Sequence, residues 1–173
     1  NKAIDLLEKL INTIDKLERW NGHLYNWYNI KTLEPLKPRY ISTVDSGNFV
    51  GYMYVLKTFI KDIDNNLIDD ENTHELLTKM VKKVDNFIQE ADFSVLYNKK
   101  NKLLSIGYDI EKMKLTDSYY DFLASEARQA SYIAIAKKDV DEKHWYNLSR
   151  TLTTVNKYKG LISWSGTAFE YLM

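Results

Sequence analysis

The chain of 173 residues has no cysteine, only two prolines and no net charge, and each shortage excludes a class of protein. Without cysteine there is no disulfide framework, no thiol nucleophile and no zinc site built on thiolates. The 24 basic and 24 acidic residues balance without a long block of like charge, which argues against nucleic acid as a partner. No apolar run reaches the roughly 20 residues that a membrane span needs, and no signal peptide is recognisable. We therefore expect no direct contact between this chain and a membrane.

Histidine is also scarce. His23, His74 and His144 show none of the spacings that metal sites use, and His74 falls on the surface of a predicted helix. The sequence therefore predicts neither a bound metal ion nor another cofactor.

Apolar residues that recur at intervals of three and four predict three amphipathic helices. These helices cover residues 4–17, 49–63 and 76–88, and Trp20 is assigned to the core beyond the first of them. Asp45 or Ser46 can cap the second helix, and Asn72 with Glu75 resembles a capping box for the third.

The hydrophobic period then changes once. Residues 103–110 alternate with period two, which predicts a strand that forms a β-hairpin with residues 95–97. The longest helix is predicted from about residue 116 to 138, followed by a short helix over 143–148 with Trp145 in the core, and a loop over 149–162. This order fits a mainly all-α fold, a partial α/α toroid of the six-hairpin type that carries a small β-hairpin.

The segment 22–48 is too aromatic for a solvated loop and too irregular for a helix or strand. Its large rings and prolines are Tyr25, Trp27, Tyr28, Tyr40, Pro35 and Pro38. Two prolines three residues apart favour a rigid, extended loop. Two interpretations are open: the loop forms the wall of a cleft, or it packs its aromatic rings on its own domain.

Glu126 is the sharpest candidate for chemistry. On a helical wheel it shares a stripe with Phe122, Ala130 and Ile133, so its carboxylate is expected on the apolar side. Burial of a carboxylate without a partner is costly. Glu126 is therefore either paired and structural, or placed there for a reaction.

Three blocks carry a family resemblance. The aromatic loop reads GHLYNWYNIKTLEPLKPRYISTVDSGN, the second block is LASEAR with AIAK beyond it, and the third is SWSGTAFEYLM. In this order they resemble the glycoamylase-like (cyclisation) domain of cyclic β-1,2-glucan synthases and the related β-1,2-glucanases, over nearly all of residues 17–173. Long blocks of low degeneracy are a specific signal. Asn29 and Thr151 depart from the pattern, since aspartate and proline are common there.

The resemblance implies roles for individual residues. Glu126 resembles the glutamate that protonates the glycosidic oxygen. The residues expected to bind sugar are Trp27, Tyr28, Asp45, Trp164 and Glu170, with the aromatic rings stacked on glucose. Capping of a helix is the alternative for Asp45. Glycoside chemistry commonly uses two carboxyl groups, about 5–9.5 Å apart, and the resemblance implies that the second catalytic one lies beyond residue 173.

The implied activity is transglycosylation, in which a linear β-1,2-glucan is closed into a ring. A β-1,2-glucanase and a non-catalytic glycan-binding or scaffolding module are the alternatives. We expect residues 1–173 to be one partial domain, truncated at its C-terminus and inactive in isolation. Its expected partners are β-1,2-glucan, the rest of the same domain and synthase, and further copies through exposed helix faces. The resemblance implies the cytoplasmic face of a bacterial inner membrane, within a larger membrane protein; a periplasmic or secreted location is the alternative.

Overall fold

A computed structural model describes residues 2–68, 70–163 and 165–172, with all of their side chains except those of residues 67 and 125. Within these residues, six α-helices make up about half of the chain: α1 (Lys2–Lys16), α2 (Thr43–Leu67), α3 (Glu71–Glu90), α4 (Ser125–Ala136), α5 (Lys143–Asn147) and α6 (Ala168–Leu172). A 3₁₀ turn covers Phe93–Leu96. The short strands are β1 (Arg19–Trp20), β2 (His23–Leu24), β3 (Tyr40–Ser42), β4 (Tyr97–Asn98), β5 (Leu103–Leu104), β6 (Gly107–Asp109), β7 (Lys114–Leu115), β8 (Leu152–Val155) and β9 (Tyr158–Leu161).

The central helix is α2, which packs against α3 on one side and against α4 on the other. Phe49 lies 6.2 Å from Phe87 between ring centroids, and Lys57 forms a salt bridge with Asp85, so α2 and α3 are antiparallel. The most deeply buried core side chains come from α1, α2, α3 and the turn that follows: Ile11, Val50, Ile60, Val84, Ile88 and Phe93. Complete burial of each such side chain stabilises the fold by about 1.5–3 kcal/mol.

A small antiparallel sheet, in the order β3-β6-β7, joins the aromatic loop to the middle of the chain. Ile41 lies opposite Tyr108, which in turn lies opposite Leu115. Trp20 stacks on Tyr108 with ring centroids 4.3 Å apart, so its predicted place at the core is confirmed. Trp145 is half-buried and packs edge-on against Phe122.

The first three predicted helices and the hairpin of β4 with β5 are confirmed. A single strand over residues 103–110 was the wrong prediction, because the chain leaves the hairpin at Ser105. That serine forms an isolated bridge with Tyr119, and its hydroxyl bonds to the carbonyl oxygen of Thr116 at 2.6 Å. The next residues then pair with β3 instead.

The predicted helix over residues 116–138 begins only at Ser125. The carboxylate of Asp121 accepts the backbone N–H groups of Leu123 and Ala124, at 2.8 and 3.0 Å, which holds a turn in place of a helix. The loop predicted over 149–162 is also wrong, since β8 and β9 form an antiparallel hairpin there. Asn156 turns this hairpin with a φ of 56°, a conformation that asparagine tolerates.

Both predicted helix starts are displaced. Ser42, not Asp45 or Ser46, is the N-cap of α2, and its hydroxyl accepts the N–H of Asp45 at 3.2 Å. Asp70 caps α3 by accepting the N–H of Thr73 at 2.9 Å. Asp45 therefore lies inside the first turn of α2, and its side chain is not the cap.

The mainly helical fold is confirmed, whereas the described helices do not close into a ring. The α/α toroid therefore stays a prediction. No helix in the described ranges combines the length and apolar character that crossing a membrane requires.

Candidate active site

The site is built where two parallel helices begin. A Cβ placed on Gly47 of α2 would lie 2.4 Å from the Cβ of Ala130 on α4, and one on Gly51 would lie 3.1 Å from Ile133. Residue numbers increase in the same direction along this contact in both helices, so α2 and α4 are parallel. Their N-terminal ends therefore lie at the same end of the molecule. Asp45 and Glu126 occupy the first turns of these two helices.

Tyr120 lies where these helix ends meet. Burial raises the pKa of its hydroxyl above the usual value of 10.0, and acidic neighbours raise it further because they repel a phenolate. These neighbours are Tyr40, Asp45, Glu126 and Glu170. Acidic side chains from α2, α4 and α6 thus lie near enough to Tyr120 to raise its pKa.

The backbone on both sides fixes Tyr120 in place. Tyr119 forms an antiparallel bridge with Ser105, and Asp121 forms a parallel bridge with Ser149. The Tyr119 hydroxyl also accepts an N–H from the side-chain amide of Asn98 at 2.7 Å. Tyr120 therefore lies in a short extended segment that pairs with two other segments of the same chain.

Tyr40 brings the end of the aromatic loop to the same place. Its hydroxyl lies 2.8 Å from the Oγ1 of Thr116, and its ring lies against Gly107 on the neighbouring strand. A Cβ at Gly107 would come within 2.4 Å of the Tyr40 hydroxyl oxygen. Glycine at this position therefore permits the close approach of the ring.

The third carboxylate comes from the end of the chain. Glu170 lies in α6, where it is half-buried. The next residue, Tyr171, accepts the backbone N–H of Ser163 through its hydroxyl at 2.9 Å. This contact holds α6 beside the segment that leads out of β9.

Asp45 and Glu126 are both exposed, so the expected burial of the Glu126 carboxylate is wrong. The physical reason is the late start of α4: the wheel included Phe122, which precedes the helix. Among the described residues, neither carboxylate forms a hydrogen bond or salt bridge with another side chain. Both groups are open to a ligand.

A cavity of about 340 Å³ adjoins Tyr120. Its lining combines a mostly apolar exposed surface with polar groups, of which Asp121 is the acidic one, and the lining residues are Leu103, Tyr119, Tyr120, Asp121, Asn147, Ser149, Thr151, Ile162 and Ser163. No lysine or arginine is among these lining residues. Such a surface suits a neutral ligand with many hydroxyl groups better than an anion.

The aromatic loop packs largely on its own domain. Tyr28 donates its hydroxyl to the carbonyl of Glu18 at 2.6 Å and accepts the N–H of Tyr25 at 2.9 Å, and burial raises the pKa of Tyr28 to about 12. Trp27 is 51% exposed and keeps a free face. These contacts tie Tyr28 to the region after α1, whereas only the end of the loop, at Tyr40, reaches the acidic cluster. Trp164 lies outside the described residues.

The sequence pattern missed Tyr120 as a functional candidate. The signal available was its place, since Tyr119-Tyr120-Asp121 leads directly into the LASEAR block. A helix predicted across this segment concealed it, because a helical wheel cannot show that an extended segment presents one tyrosine to three carboxylates.

The histidines contribute to packing. His23 and His144 are buried, and burial lowers the pKa of each to about 4. His144 bonds through Nε2 to the hydroxyl of Ser131 at 2.8 Å. His74 is exposed, as predicted, and pairs with Asp64 at 2.8 Å. In the part of the chain that the structure describes, no cluster of histidine and acidic side chains could hold a metal ion.

A curated protein is similar to nearly the whole chain. Cyclic beta-(1,2)-glucan synthase NdvB of Rhizobium meliloti (strain 1021) is 26% identical over an alignment of 287 residues, which takes in 99% of this chain and 10% of the synthase. The chain is related to this synthase. The resemblance predicted from the three sequence blocks is thereby confirmed. The chain spans about a tenth of the length of this relative, and the alignment, which is longer than the chain, passes over insertions in the synthase. No family model matches the sequence.

Proposed function

We propose that this chain forms part of a carbohydrate-active domain that closes linear β-1,2-glucan into rings by transglycosylation. The observation that carries the proposal is the relation of the chain to a glucan synthase, together with a cavity beside Tyr120, a residue whose pKa Asp45, Glu126 and Glu170 help to raise. β-1,2-Glucan is the proposed substrate.

Glu126 is the proposed general acid. It stands at an exposed helix end and is free of a protein partner among the described residues, so its proton can pass to the oxygen that leaves the anomeric carbon. In the transfer, the glycosidic C–O bond breaks as the leaving oxygen takes the proton of Glu126. A hydroxyl of the same glucan then forms the new bond to the anomeric carbon and gives its proton back to the Glu126 carboxylate. Asp45 and Glu170, in the first turns of their helices, bind and orient the sugar hydroxyls.

Trp27, Tyr28 and Trp164 are the proposed aromatic contacts to glucose. The exposed ring of Trp27 gives this role the best structural support. The Tyr28 hydroxyl is already used within the loop, so its part is to support Trp27.

The chain is proposed to be the N-terminal part of a larger α/α toroid. Large apolar side chains remain exposed on α2 and α4, among them Tyr52 at 65%, Val55 at 65% and Tyr132 at 72%. Faces of this kind are covered in a complete helical ring, or by a second copy of the chain. We therefore expect the 173 residues alone to self-associate and to lack turnover. The proposed location is the cytoplasmic face of a bacterial inner membrane, within a larger protein.

Hydrolysis is the second candidate, because Asp45 and Glu126 are open to water as well as to sugar. Product analysis by mass spectrometry separates the two reactions. When the complete domain acts on linear β-1,2-glucan, cyclic products that are lighter by one water than the linear glucan of equal length support transglycosylation. Shorter linear products support a glucanase. Binding without new products would reduce the domain to a glycan-binding module and overturn the proposal.

A further inference from the structure

We propose that the cavity beside Tyr120 is a subsite for one sugar ring, and that the Tyr120 hydroxyl positions this ring by donating a hydrogen bond. This inference rests on the proposed function for the identity of the sugar. It assigns a role to Tyr120, which is not one of the three carboxylates. It also assigns a role to a cavity whose wall includes β5, the segment after α5 and the segment after β9.

Tyr120 belongs to the cavity wall. Asp45, Glu126 and Glu170 are near enough to its hydroxyl to help raise its pKa. Among the described residues, the Tyr120 hydroxyl has no hydrogen-bond partner. A half-buried hydroxyl without a protein partner is suited to bind a ligand.

The chemistry fixes the direction of the bond. Burial and three nearby carboxylates keep Tyr120 protonated, so its hydroxyl donates readily to an oxygen placed before it. A sugar ring supplies such oxygens. Its other hydroxyls meet neutral polar groups of the same cavity, among them Ser149 and Thr151, whose hydroxyl oxygens lie 3.0 Å apart.

The neighbouring tyrosine provides a matched control. Tyr119 lines the same cavity, but its hydroxyl is already bonded to Asn98. Tyr119→Phe therefore removes a hydroxyl that serves the scaffold, whereas Tyr120→Phe removes one that is open to the ligand. Since neither change adds volume, both variants are expected to fold.

The experiment compares Tyr120→Phe and Tyr119→Phe in the complete domain. Kinetics on linear β-1,2-glucan are measured together with calorimetric binding of a short β-1,2-gluco-oligosaccharide. Loss of one neutral hydrogen bond corresponds to about a tenfold fall in kcat/KM, which we expect mainly in KM and in binding, for Tyr120→Phe alone. Tyr119→Phe should cost less than Tyr120→Phe, because the Tyr119 hydroxyl is already bonded to Asn98. Equal effects of the two changes would overturn the proposal.

A second variant tests the cavity without altering Tyr120. Ser149→Leu fills space in the wall and should weaken oligosaccharide binding while thermal unfolding shows a folded protein. Full binding in this variant would overturn the subsite. The two proposals fail separately: absence of turnover with sugar binding that depends on Tyr120 contradicts only the proposed function, and glucan turnover that is indifferent to Tyr120 and Ser149 contradicts only the subsite.

Discussion

Acidic side chains behave differently at the two ends of α2. At the far end, Asp70 caps α3, and its hydrogen bonds from Thr73 hold the pKa of that carboxyl below its usual value. At the near end, Asp45 and Glu126 occupy helix starts without accepting a hydrogen bond from any described residue. Acidic residues near helix starts thus stabilise the fold in one region, where Asp70 is the cap, and remain exposed in the other, where Asp45 and Glu126 lie inside the first turn. The proposed function gives the exposed pair a role.

The largest effect is expected from Glu126→Gln, which tests directly whether an exposed carboxylate at this end of α2 takes part in the reaction. The amide keeps the shape but has no acidic proton to transfer, so turnover on linear β-1,2-glucan should fall about 10²- to 10⁴-fold while calorimetric binding persists. Steady-state rates of the complete domain provide the measurement.

Glu71→Gln is the matched control, because Glu71 is also an exposed glutamate in the first turn of a helix. The 25 residues of α2 place it roughly 35 Å from the acidic cluster. The turnover of the Glu71→Gln variant should stay near that of the unchanged protein. Comparable losses in both variants would remove the distinction between the two regions, and near-normal turnover in Glu126→Gln would make Glu126 a structural residue.

The next largest effect is the dependence of the free energy of unfolding on pH. His23 packs against Phe93 in the scaffold, and His144 binds Ser131 on α4. In the unfolded chain both titrate near 6.5, but burial lowers their folded pKa to about 4. The unfolded chain therefore binds more protons between these values, and the free energy of unfolding should fall as pH drops from about 6.5 to about 4.

Each buried histidine accounts for a loss of about 3 kcal/mol across this range. Urea unfolding at several pH values measures it. His74→Gln is compared in the same assay, because it replaces an exposed histidine and leaves both buried rings in place. A free energy of unfolding that stays constant between pH 6.5 and 4.5 would contradict the burial of both rings.

The sequence predicted the scaffold better than the site, and the reason is physical. Apolar spacing along α1, α2 and α3 reflects direct burial, so periodicity identified all three helices. The positions of Tyr120 and the β8–β9 hairpin depend on pairing between distant residues, such as Asp121 with Ser149, which no local pattern encodes. Glu126, Asp45 and Glu170 were found through the family blocks, whereas the exposure of Glu126 and the role of Ser42 as cap required the structure.

A smaller effect is expected where α2 meets α4. Gly47→Ala forces a Cβ against Ala130 at 2.4 Å, so one helix must shift. Overpacking should cost about 1–3 kcal/mol, offset by up to about 1 kcal/mol of helix propensity, and thermal unfolding measures the net loss. Gly160→Ala is the control, because a Cβ there meets nothing within 4 Å. Ala130→Gly should not restore stability in the double variant, because the new Cβ would still lie 2.5 Å from the Cα of residue 130. Unchanged thermal unfolding of Gly47→Ala would contradict the close crossing.

The smallest effect separates stability from function within a single turn of α2. Ser42→Ala removes the hydroxyl that accepts the N–H of Asp45, which should lower the free energy of unfolding by about 1 kcal/mol. Asp45→Asn keeps that backbone bond, because the Asp45 side chain is exposed and is not the cap. We expect it to leave thermal unfolding nearly unchanged and to weaken glucan binding several-fold in calorimetry. Should Asp45→Asn lower stability as much as Ser42→Ala and leave binding intact, the carboxylate of Asp45 would belong to the scaffold and the contrast between the two ends of α2 would rest on Glu126 alone.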